Sequence, residues 1–560
     1  MKSIYEERPW LHLYESSDIE IPLRSVIEAF DEATAKWKKQ TAIIFYGRKI
    51  SYNELREQVD RFASALSELG VKKGDVVAFL LLNCPEYIIA FYGALKVGAI
   101  ITPISPVYVS SEIKHQIGDS GAEHLICQDI FYDAVKKTGI EFKNVILTNI
   151  TESLPMLKKM MGKSVLRGVY EKMAAPSPRI VERTGIYKLA DLIKRYTPGY
   201  PMIQVDPKED VVVLPYTSGT TGQPKGVMIT HYNIIANEAQ YYSFFPVFEE
   251  GKDVVIAYMP FYHAAGLMTC VVSGIIRGST LVILTTPDID DILDSVVTYQ
   301  VRVFPGSPAL YEVLKDHKKT RVVNWKKFKA VITGADMLHE ATAKDWENRT
   351  GTTLHNIYGM TETTCMSHAE PLGKAKLGSI GIPLHHTMAA ILDPDKDEFV
   401  TMGEIGEIVV NGPQVTKGYL HNPEATRDCE AIIDNVRWWR TGDLGRMEED
   451  GYFYLYDRKR DLIKYKGLRV FAREVEEVLK NHPQIKEVGV IGEKDIKVGE
   501  NVKAVVVLES DARGKLSEQD IIEFCQGKLA HYKIPKIVEF ASEIPKTDVG
   551  KVSRRELREA

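Results

Sequence analysis

The sequence is poor in cysteine and has none of the cysteine spacings that bind zinc or form a redox pair. Its six cysteines are scattered along 560 residues, and no two of them form a CxxC pair. Reduced thiols in a cytoplasmic protein are the natural interpretation. The formal net charge of -5 provides no general attraction to nucleic acid, so nucleic acid is not an expected partner.

Signals for export or for membrane insertion are also missing from the sequence. Residues 1–7 lack the basic and then apolar layout of a signal peptide, and no apolar run reaches the length of a bilayer span. We therefore expect no transmembrane segment. A chain of this length exceeds what one hydrophobic core normally holds, which predicts several domains or subdomains.

Alternating helix and strand patterns in the first part of the chain predict an α/β fold. Five apolar residues recur at three- and four-residue spacings and share one helix face: Leu55, Val59, Phe62, Leu66 and Leu69. A continuous apolar run at 76–82 predicts a parallel strand that is covered on both faces. A helix at 87–97 and a strand at 99–104 follow. This alternation indicates a doubly wound sheet.

The C-terminal part has a different organisation. A densely charged segment at 457–461 follows a Gly-Tyr-Phe-Tyr strand. Beyond it we expect a helix at 473–480, strands at 488–492 and 502–508, and a helix at 518–529. These elements predict a compact α+β unit of about a hundred residues. We place the domain boundary near Arg458, which gives domains of residues 1–458 and 459–560.

The segment 216–226, Tyr-Thr-Ser-Gly-Thr-Thr-Gly-Gln-Pro-Lys-Gly, combines small hydroxyl residues, three glycines and one lysine. It lies between a predicted strand at 211–214 and a helix that Thr230 or Asn233 can cap. Glycines let backbone N–H groups point at an anion, and the hydroxyls and Lys225 add donors. The spacing differs from Walker A and from G-x-G-x-x-G. An ordinary polar turn is the alternative to a phosphate-binding loop.

A second motif, 358–362, reads Tyr-Gly-Met-Thr-Glu and follows a predicted strand at 353–357. An aromatic ring beside a glycine can stack on a purine, and Thr361 can donate to a phosphate. Glu362 can bind a hard divalent cation that bridges phosphates. The pattern is weak alone, because Tyr-Gly turns are common, and gains weight from its place after the phosphate loop.

The phosphate loop resembles the signature loop of the acyl-adenylating superfamily, which comprises acyl-CoA synthetases, luciferases and the adenylation domains of peptide synthetases. Further matches follow in the family's order, so the resemblance covers nearly the whole chain. It implies a large N-terminal domain of layered, doubly wound sheets with a smaller β subdomain. It also implies a small, mobile α+β C-terminal domain, with ATP, Mg²⁺ and the co-substrate coenzyme A.

The resemblance also implies roles for individual residues. The family's tyrosine packs on adenine, its threonine meets the α-phosphate and its glutamate holds Mg²⁺, which corresponds to Tyr358, Thr361 and Glu362. Thr217 is the second implied metal ligand. The other implied nucleotide-binding residues are Thr217, Ser218, Gly219, Thr220, Thr221, Gly222, Lys225, Gly334, Ala335, Asn356, Gly359, Asp443 and Arg458. Asp336 receives no role.

Two of these residues have a chemical rationale of their own. Asp443, which follows a tight Gly-Asp turn, can accept both ribose hydroxyls, and Arg458 can reach the ribose or the α-phosphate. A surface ion pair is the alternative for Arg458, which lies in a charged run.

The family's closing motif corresponds to residues 545–551. Its last lysine, Lys551, would approach the carboxylate and α-phosphate oxygens and offset the charge that develops during adenylation. Lys546 is the competing lysine of the same loop. The Lys466-Gly467 turn would face the coenzyme A thiol in the second step. Arg460 occupies the hinge position, where relatives usually carry Asp or Lys.

The substrate is implied to be a small-molecule carboxylic acid. In relatives an aromatic residue or histidine at the position of His263 borders the carboxylate tunnel, and a core or capping histidine is the alternative. Relatives that activate amino acids carry an aspartate in this loop, and residues 261–264 contain none. An α-amino acid is therefore not expected.

The segment from about 151 to 200 is basic and contains methionines. Residues 154–170 predict an amphipathic helix that lies on a membrane surface or over an apolar substrate mouth; a helix packed on its own domain is the alternative. Because long-chain relatives have a similar insertion, a medium- or long-chain fatty acid is favoured. The sequence allows a homodimer without requiring one.

The implied activity is that of an AMP-forming acyl-CoA synthetase, an acid–thiol ligase. The acid and ATP give an acyl-adenylate and pyrophosphate, and coenzyme A then gives the thioester and AMP. A short-chain or hydroxy-acid ligase, acting for example on 4-hydroxybutyrate or 3-hydroxypropionate, is one alternative. An adenylating enzyme with a carrier-protein acceptor and a non-catalytic nucleotide-binding protein are the others.

Overall fold

The computed structural model describes residues 8–15, 18–155, 185–217, 223–286, 288–510, 512, 514–546 and 552–559. Its contacts divide the chain into two compact units. The large unit comprises Trp10–Met388 and Asn411–Asp428, and the small unit comprises Met1–Pro9, Ala389–Val410 and Cys429–Ala560.

The strands of the large unit, in chain order, are β1 (Thr41–Phe45), β2 (Arg48–Ser51), β3 (Val76–Leu80), β4 (Ile100–Pro103), β5 (His124–Gln128), β6 (Asn144–Thr148), β7 (Ile186–Lys188), β8 (Val211–Val213), β9 (Tyr216–Thr217), β10 (Lys225–Gly226), β11 (Ile229–Thr230), β12 (Val254–Ala257), β13 (Thr280–Ile283), β14 (Val303–Gly306), β15 (Ala330–Gly334), β16 (His355–Tyr358), β17 (His368–Ala369) and β18 (Ile382–Pro383).

Its helices are α1 (Val26–Lys36), α2 (Tyr52–Glu68), α3 (Pro85–Lys96), α4 (Ser110–Ser120), α5 (Tyr132–Lys136), α6 (Leu189–Arg195), α7 (His231–Phe244), α8 (Ala264–Gly266), α9 (Ile289–Tyr299), α10 (Pro308–Leu314), α11 (Glu340–Thr350) and α12 (Pro423–Asp428). A π-helix at Leu267–Gly274 extends α8. Short 3-10 turns lie at Pro9–Leu13, Asp129–Phe131, Lys318–Arg321, Trp325–Lys327 and Thr361–Thr363.

Two mostly parallel sheets form the large unit. One has the strand order β18-β17-β16-β15-β14-β12-β13-β1-β2, and the other has the order β11-β8-β4-β3-β5-β6-β7. Each sheet winds outward in both directions from a central strand, β12 in the first and β3 in the second. The predicted doubly wound α/β architecture is therefore confirmed, and α2, β3, α3 and β4 lie where the apolar patterns predicted them.

Buried polar contacts connect the carboxyl end of β3 with the segment after β12. The Asn83 side-chain amide donates to the Met259 carbonyl at 2.8 Å, and the Phe261 N–H donates to Asn83 Oδ1 at 2.8 Å. The core of the nine-stranded sheet is aromatic: Trp346 is fully buried, with its ring 4.7 Å from Trp325 and 4.9 Å from Tyr311. These contacts fix the strand ends from which the site is built.

The strands of the small unit are β19 (Met388–Leu392), β20 (Gly406–Asn411), β21 (Glu430–Ile433), β22 (Val436–Met447), β23 (Phe453–Arg458), β24 (Ile463–Tyr465), β25 (Leu468–Val470), β26 (Ile485–Asp495), β27 (Gly499–Leu508) and β28 (Ile537–Phe540). Its helices are α13 (Ala472–Lys480), α14 (Glu518–Cys525) and α15 (Arg554–Glu559), with a 3-10 turn at Lys459–Asp461.

These strands form two five-stranded sheets, β19-β20-β22-β21 with β23 on β22, and β25-β24-β27-β26 with β28 on β27. The predicted smaller β part and the α+β part after residue 458 are both present. Because both belong to one compact unit, the boundary at 458 and the hinge at Arg460 stay predictions.

The cysteines and the possible membrane contacts were also predicted from the sequence. All six cysteines are free thiols, as predicted. Within the described ranges, no helix combines the length and the apolarity that crossing a bilayer requires. Most of the predicted amphipathic helix at 154–170 lies outside the described residues, so its membrane contact stays a prediction, as does the homodimer.

A buried charge cluster yields a test of the packing in the large unit. Lys96 is 2% exposed, and its ammonium lies 2.8 Å from Asp31 Oδ1 and 2.7 Å from Asp60 Oδ1. We expect Lys96→Met to destabilise the protein by about 3–5 kcal/mol, because two carboxylates lose their buried counter-charge. Thermal and urea unfolding measure this loss.

Lys143→Met is the matched control, because Lys143 pairs with Glu123 at the surface. An exposed pair contributes about 0–1 kcal/mol. Equal effects of the two substitutions would contradict a stabilising role of the buried cluster.

Candidate active site

The phosphate-loop motif closes a β-hairpin in the large unit. Thr217 on β9 pairs with Lys225 on β10, and Tyr216 pairs with Gly226. The predicted place of the loop between a strand and a helix is confirmed, because β8 precedes it and α7 follows it; the structure adds β11 before α7. The predicted cap of α7 is confirmed: Thr230 and Asn233 bond reciprocally in a capping box. Ser218, Gly219, Thr220, Thr221 and Gly222 lie outside the described residues.

Helix α4 holds both ends of this hairpin loop. The Tyr216 hydroxyl donates to Asp119 Oδ2 at 2.6 Å, and His115 Nε2 lies 2.9 Å from the Pro224 carbonyl oxygen. His115 and Asp119 are four residues apart and so project from the same face of the helix. The sequence motif did not reveal either residue, because both lie about a hundred positions upstream.

Thr217 carries an unsatisfied buried oxygen. Its Oγ1 has no hydrogen-bond partner among the described residues, and Lys225 stands directly opposite in the ladder. A buried hydroxyl without a partner costs free energy unless a ligand satisfies it. Oxygen donors are what Mg²⁺ and phosphate groups require, so Thr217 fits both implied roles.

Glu362 supplies the carboxylate of the implied metal site. It is 5% exposed in the 3-10 turn Thr361–Thr363, where Thr361 is half-buried, and its Oε1 accepts a hydrogen bond from the Tyr419 hydroxyl at 2.7 Å. Among the described residues no group of three or more His, Cys, Asp or Glu could hold a metal ion. A cation here would therefore need ligands beyond Glu362 and Thr217, and nucleotide phosphates provide such oxygens.

The carboxyl ends of β15 and β16 bring four of the implied nucleotide residues together. Thr333 pairs with Asn356 and Gly334 with Ile357, so Asn356 and Tyr358 at the end of β16 lie beside Gly334, which ends β15, and Ala335, which follows it. A Cβ on Gly334 would lie 2.9 Å from the Ile357 carbonyl oxygen, which requires glycine there. Ligands of open α/β sheets bind at this edge.

The Tyr-Gly turn has a similar constraint. A Cβ on Gly359 would stand 2.0 Å from the Cys365 carbonyl oxygen, so no other residue fits this backbone. Tyr358 is 8% exposed, and its ring meets His368 edge to face at 5.6 Å. The stacking of Tyr358 on adenine stays a prediction.

Glu370 is a residue that the sequence motifs missed. Its carboxylate accepts hydrogen bonds from the Asn356 N–H at 2.9 Å, the Ser379 hydroxyl at 2.9 Å and the Lys376 N–H at 3.1 Å. The Asn356 side chain in turn donates to the Ser379 carbonyl at 2.9 Å. Burial raises the pKa of Glu370 to about 7, although these hydrogen bonds oppose the increase.

In the small unit, Asp443 lies in a β-bulge rather than in a turn. Thr441, Gly442 and Asp443 fall within the continuous strand β22, and Ile408 stands alone opposite these three residues. The prediction of a tight Gly-Asp turn is therefore wrong. Gly442 has a φ of 72°, which re-aims the chain inside the strand and lets Thr441 Oγ1 donate to the Ile408 carbonyl at 2.8 Å.

Arg458 contacts Asp443 directly. The two residues pair across β22 and β23, and Arg458 Nε lies 2.8 Å from Asp443 Oδ1. Asp443 is buried, whereas 46% of the Arg458 side chain is exposed. An ion pair was the alternative to nucleotide contact for Arg458. This ion pair is present, and it joins two implied nucleotide-binding residues.

The remaining implied residues of the small unit belong to the Lys466-Gly467 turn and to the closing motif at 545–551. Lys466 and Gly467 join β24 to β25 with φ angles of 50° and 80°, the left-handed pair that a two-residue hairpin turn needs. Lys551 lies outside the described residues. Lys546, the competing lysine, pairs with Glu487 at 2.9 Å.

His263 is the N-cap residue of α8, and its side chain makes no capping hydrogen bond to that helix. Its own N–H donates to the Pro260 carbonyl at 3.1 Å. The Pro260 carbonyl oxygen lies only 2.2 Å from where a Cβ of Gly266 would be, so this tight approach requires glycine. The His263 side chain therefore does not cap α8, and both the core-histidine alternative and a role beside the acyl group stay predictions.

Comparison with known proteins places these features in a family. The AMP-binding enzyme family matches residues 30–420, and the AMP-binding enzyme C-terminal domain matches residues 474–551. A long-chain-fatty-acid–CoA ligase of Bacillus subtilis (strain 168) is 35% identical over 99% of this chain and 98% of its own. A long-chain-fatty-acid–CoA ligase of Escherichia coli O157:H7 is 33% identical over 99% of this chain and 98% of its own.

Solved structures show the same fold. ATP-bound MatB from Rhodopseudomonas palustris has a TM-score of 0.81 at 26% identity and covers 96% of this chain and 99% of its own. A long-chain-fatty-acid-CoA ligase from Archaeoglobus fulgidus has a TM-score of 0.69 at 25% identity and covers 94% of this chain and 98% of its own.

The buried Glu370 makes stability depend on pH. Its pKa is about 7 in the folded protein and 4.5 as an ordinary carboxyl, so the folded state holds a proton that the unfolded state has lost between these values. Its contribution to stability therefore falls as pH rises through this window, by at most about 3 kcal/mol. We expect the stability of Glu370→Gln relative to the original protein to increase from pH 5 to pH 8.

Urea unfolding of both proteins at pH 5, 6, 7 and 8 measures this trend. Glu424→Gln is the control, because Glu424 is exposed on α12. A stability difference for Glu370→Gln that stays constant across the series would contradict the raised pKa.

Proposed function

This chain belongs to the AMP-binding enzyme family, and we propose that it acts as an AMP-forming long-chain-fatty-acid–CoA ligase. One observation carries the proposal. Lys225, a cation for phosphate, and Glu362, an anion for Mg²⁺, both contact Tyr419 in the large unit. They do so in a chain that is similar over its full length to curated ligases of this kind.

The reaction has two steps. A carboxylate oxygen of the fatty acid attacks the α-phosphorus of ATP, which forms the acyl-adenylate and releases pyrophosphate. The thiol sulfur of coenzyme A then attacks the acyl carbon, which forms the thioester and releases AMP. Each step transfers a group without a covalent intermediate on the protein.

The large unit would bind ATP through donors from the hairpin and the edge of the nine-stranded sheet. Lys225, Thr217 and the loop residues up to Gly222 would meet the phosphates, and Tyr358 would face adenine. Glu362 and Thr217 would hold Mg²⁺, which supplies neutralisation of phosphate charge when bound. The Thr217 hydroxyl, which has no hydrogen-bond partner within the described ranges, supports this assignment.

The small unit would supply the remaining contacts. The Asp443 carboxylate, which pairs with Arg458, would also receive the ribose hydroxyls. We propose that Lys551 stabilises the charge that develops in the first step, and that the Lys466-Gly467 turn meets coenzyme A in the second. The hinge at Arg460 and the domain alternation that it implies belong to the same proposal.

The acyl substrate is proposed to be a long-chain fatty acid, as the names of the relatives indicate. His263, at the start of α8, would border its carboxylate. Free thiols at all six cysteines support the cytoplasm as the location.

A chain-length series tests the acyl specificity. We expect kcat/KM to rise from butyrate through octanoate to hexadecanoate, by up to about fourfold for each methylene group that the pocket buries. AMP release, measured with and without coenzyme A, provides the readout. A flat or falling series would contradict a fatty-acid pocket, and a preference for 4-hydroxybutyrate or 3-hydroxypropionate would favour the hydroxy-acid alternative.

Lys551→Ala tests the division of labour between the two steps. We expect the rate of acyl-adenylate formation to fall by about a hundredfold or more, because a preorganised cation is lost. Exchange of labelled pyrophosphate into ATP measures this rate. Thioester formation from supplied acyl-adenylate should be largely spared. Lys546→Ala is the control, since its ion pair with Glu487 gives it a separate partner. Equal losses in both steps would show that Lys551 is structural.

A further inference from the structure

Tyr419 contacts two groups of opposite charge in the large unit. Its hydroxyl donates to Glu362 Oε1 at 2.7 Å, the usual length of an O–H···O hydrogen bond. The Lys225 ammonium lies 5.1 Å from the centroid of the same ring, within the range of a cation–π contact. Tyr419 is 7% exposed and Glu362 is 5% exposed, so their hydrogen bond is shielded from water, whereas Lys225 is half-buried.

The backbone around Tyr419 fixes the position of the ring. The Leu420 N–H donates to the Gly226 carbonyl at 2.8 Å, and the Met228 N–H donates to the Gly418 carbonyl at 2.9 Å. Tyr419 thereby forms a β-bridge with Val227, two residues after Lys225. The segment that carries Tyr419 thus acts as a short strand against the chain that leaves the phosphate hairpin.

The same segment is tied to the turn that contains Glu362. The Thr416 N–H donates to the Glu362 carbonyl at 2.8 Å, and Thr416 Oγ1 donates to the Met228 carbonyl at 2.7 Å. A Cβ on Gly418, whose φ is 135°, would lie 2.6 Å from Thr426 Cγ2. Tyr419 is therefore held from both sides, and little freedom remains for its ring.

Lys225 and Glu362 would lose their function if they paired with each other. A direct ion pair would turn the ammonium away from phosphate and would occupy the carboxylate. Lys225 makes no ion pair within the described part of the chain, and the Tyr419 ring gives it a weaker partner that an anionic ligand can outcompete.

We propose that Tyr419 is a positioning residue that orients the Glu362 carboxylate, keeps Lys225 apart from it, and so sets the affinity of the site for ATP with Mg²⁺. This inference rests on the proposed function, because it requires that the site bind the nucleotide. It adds a residue that lies outside both motifs and 57 positions from Glu362.

Calorimetric titration of ATP at a series of Mg²⁺ concentrations tests the inference without reference to turnover. In Tyr419→Phe the ring stays and the hydroxyl is lost. We expect the Mg²⁺ concentration that half-maximally enhances ATP binding to rise about tenfold, because the carboxylate loses a charge-assisted hydrogen bond. ATP affinity in the presence of a chelator should stay within about twofold, because the ring still faces Lys225.

A second variant separates the two contacts. Tyr419→Leu removes the ring as well, so ATP affinity without Mg²⁺ should also fall. In steady-state assays, Tyr419→Phe should raise the KM for ATP with Mg²⁺ and leave the KM for the fatty acid unchanged. A general loss of packing would change both.

Tyr258→Phe is the matched control. Tyr258 is also 7% exposed, and its hydroxyl donates to a backbone oxygen, that of Pro305, at 2.8 Å. The proposal predicts no change in Mg²⁺ dependence for this variant. If Tyr419→Phe matches the original protein, or if Tyr258→Phe shows the same shift, the role of Tyr419 is overturned. If the original protein binds no ATP at all, the proposed function itself is overturned.

Discussion

The site of the large unit depends on keeping a cation and an anion close together without letting them pair. Lys225 and Glu362 both contact Tyr419, and because Glu362 is buried and Lys225 is half-buried, an attraction between their charges would be stronger than in water. An aromatic ring with a hydroxyl at its edge satisfies both groups through different parts of one side chain. Phosphate and a divalent cation can then each find a partner of opposite charge.

The fold supplies that arrangement through strand ends. Parallel strands β15 and β16 end side by side, so the Gly334 and Tyr358 motifs meet although 24 residues separate them. The phosphate hairpin is different, because it is fixed at its base by α4 and by the strand-like segment around Tyr419. These contacts fix Tyr216 and Pro224, which flank the glycine-rich loop.

The sequence was sufficient for the doubly wound class, the principal helices and strands of the first part, and the α+β organisation of the C-terminal part. Those features follow from local apolar periodicity. The sequence could not reveal Tyr419, Asp119 or Glu370, because each acts through a hydrogen bond to a residue that is distant along the chain or part of another strand. The prediction of a turn at Gly442 was wrong for a similar reason. A left-handed glycine occurs both in tight turns and in β-bulges, and only the strand pairing distinguishes the two.

Three of the ten non-glycine residues with a positive φ in the described part of the chain lie at the motifs. Ala335, Thr364 and Lys466 have φ angles of 68°, 64° and 50°, in the left-handed region that residues with a Cβ rarely adopt. Each such position costs about 1–2 kcal/mol relative to a relaxed backbone. Ala335 follows the strand end at Gly334, Thr364 follows the Glu362 turn, and Lys466 begins the turn that Gly467 completes. Surrounding hydrogen bonds must therefore over-determine these conformations, as the Thr364 hydroxyl does by donating to the Gln414 carbonyl at 2.7 Å. Because strain of this kind persists only where neighbouring structure enforces it, the placement of these residues is a property of the fold rather than of the motifs alone.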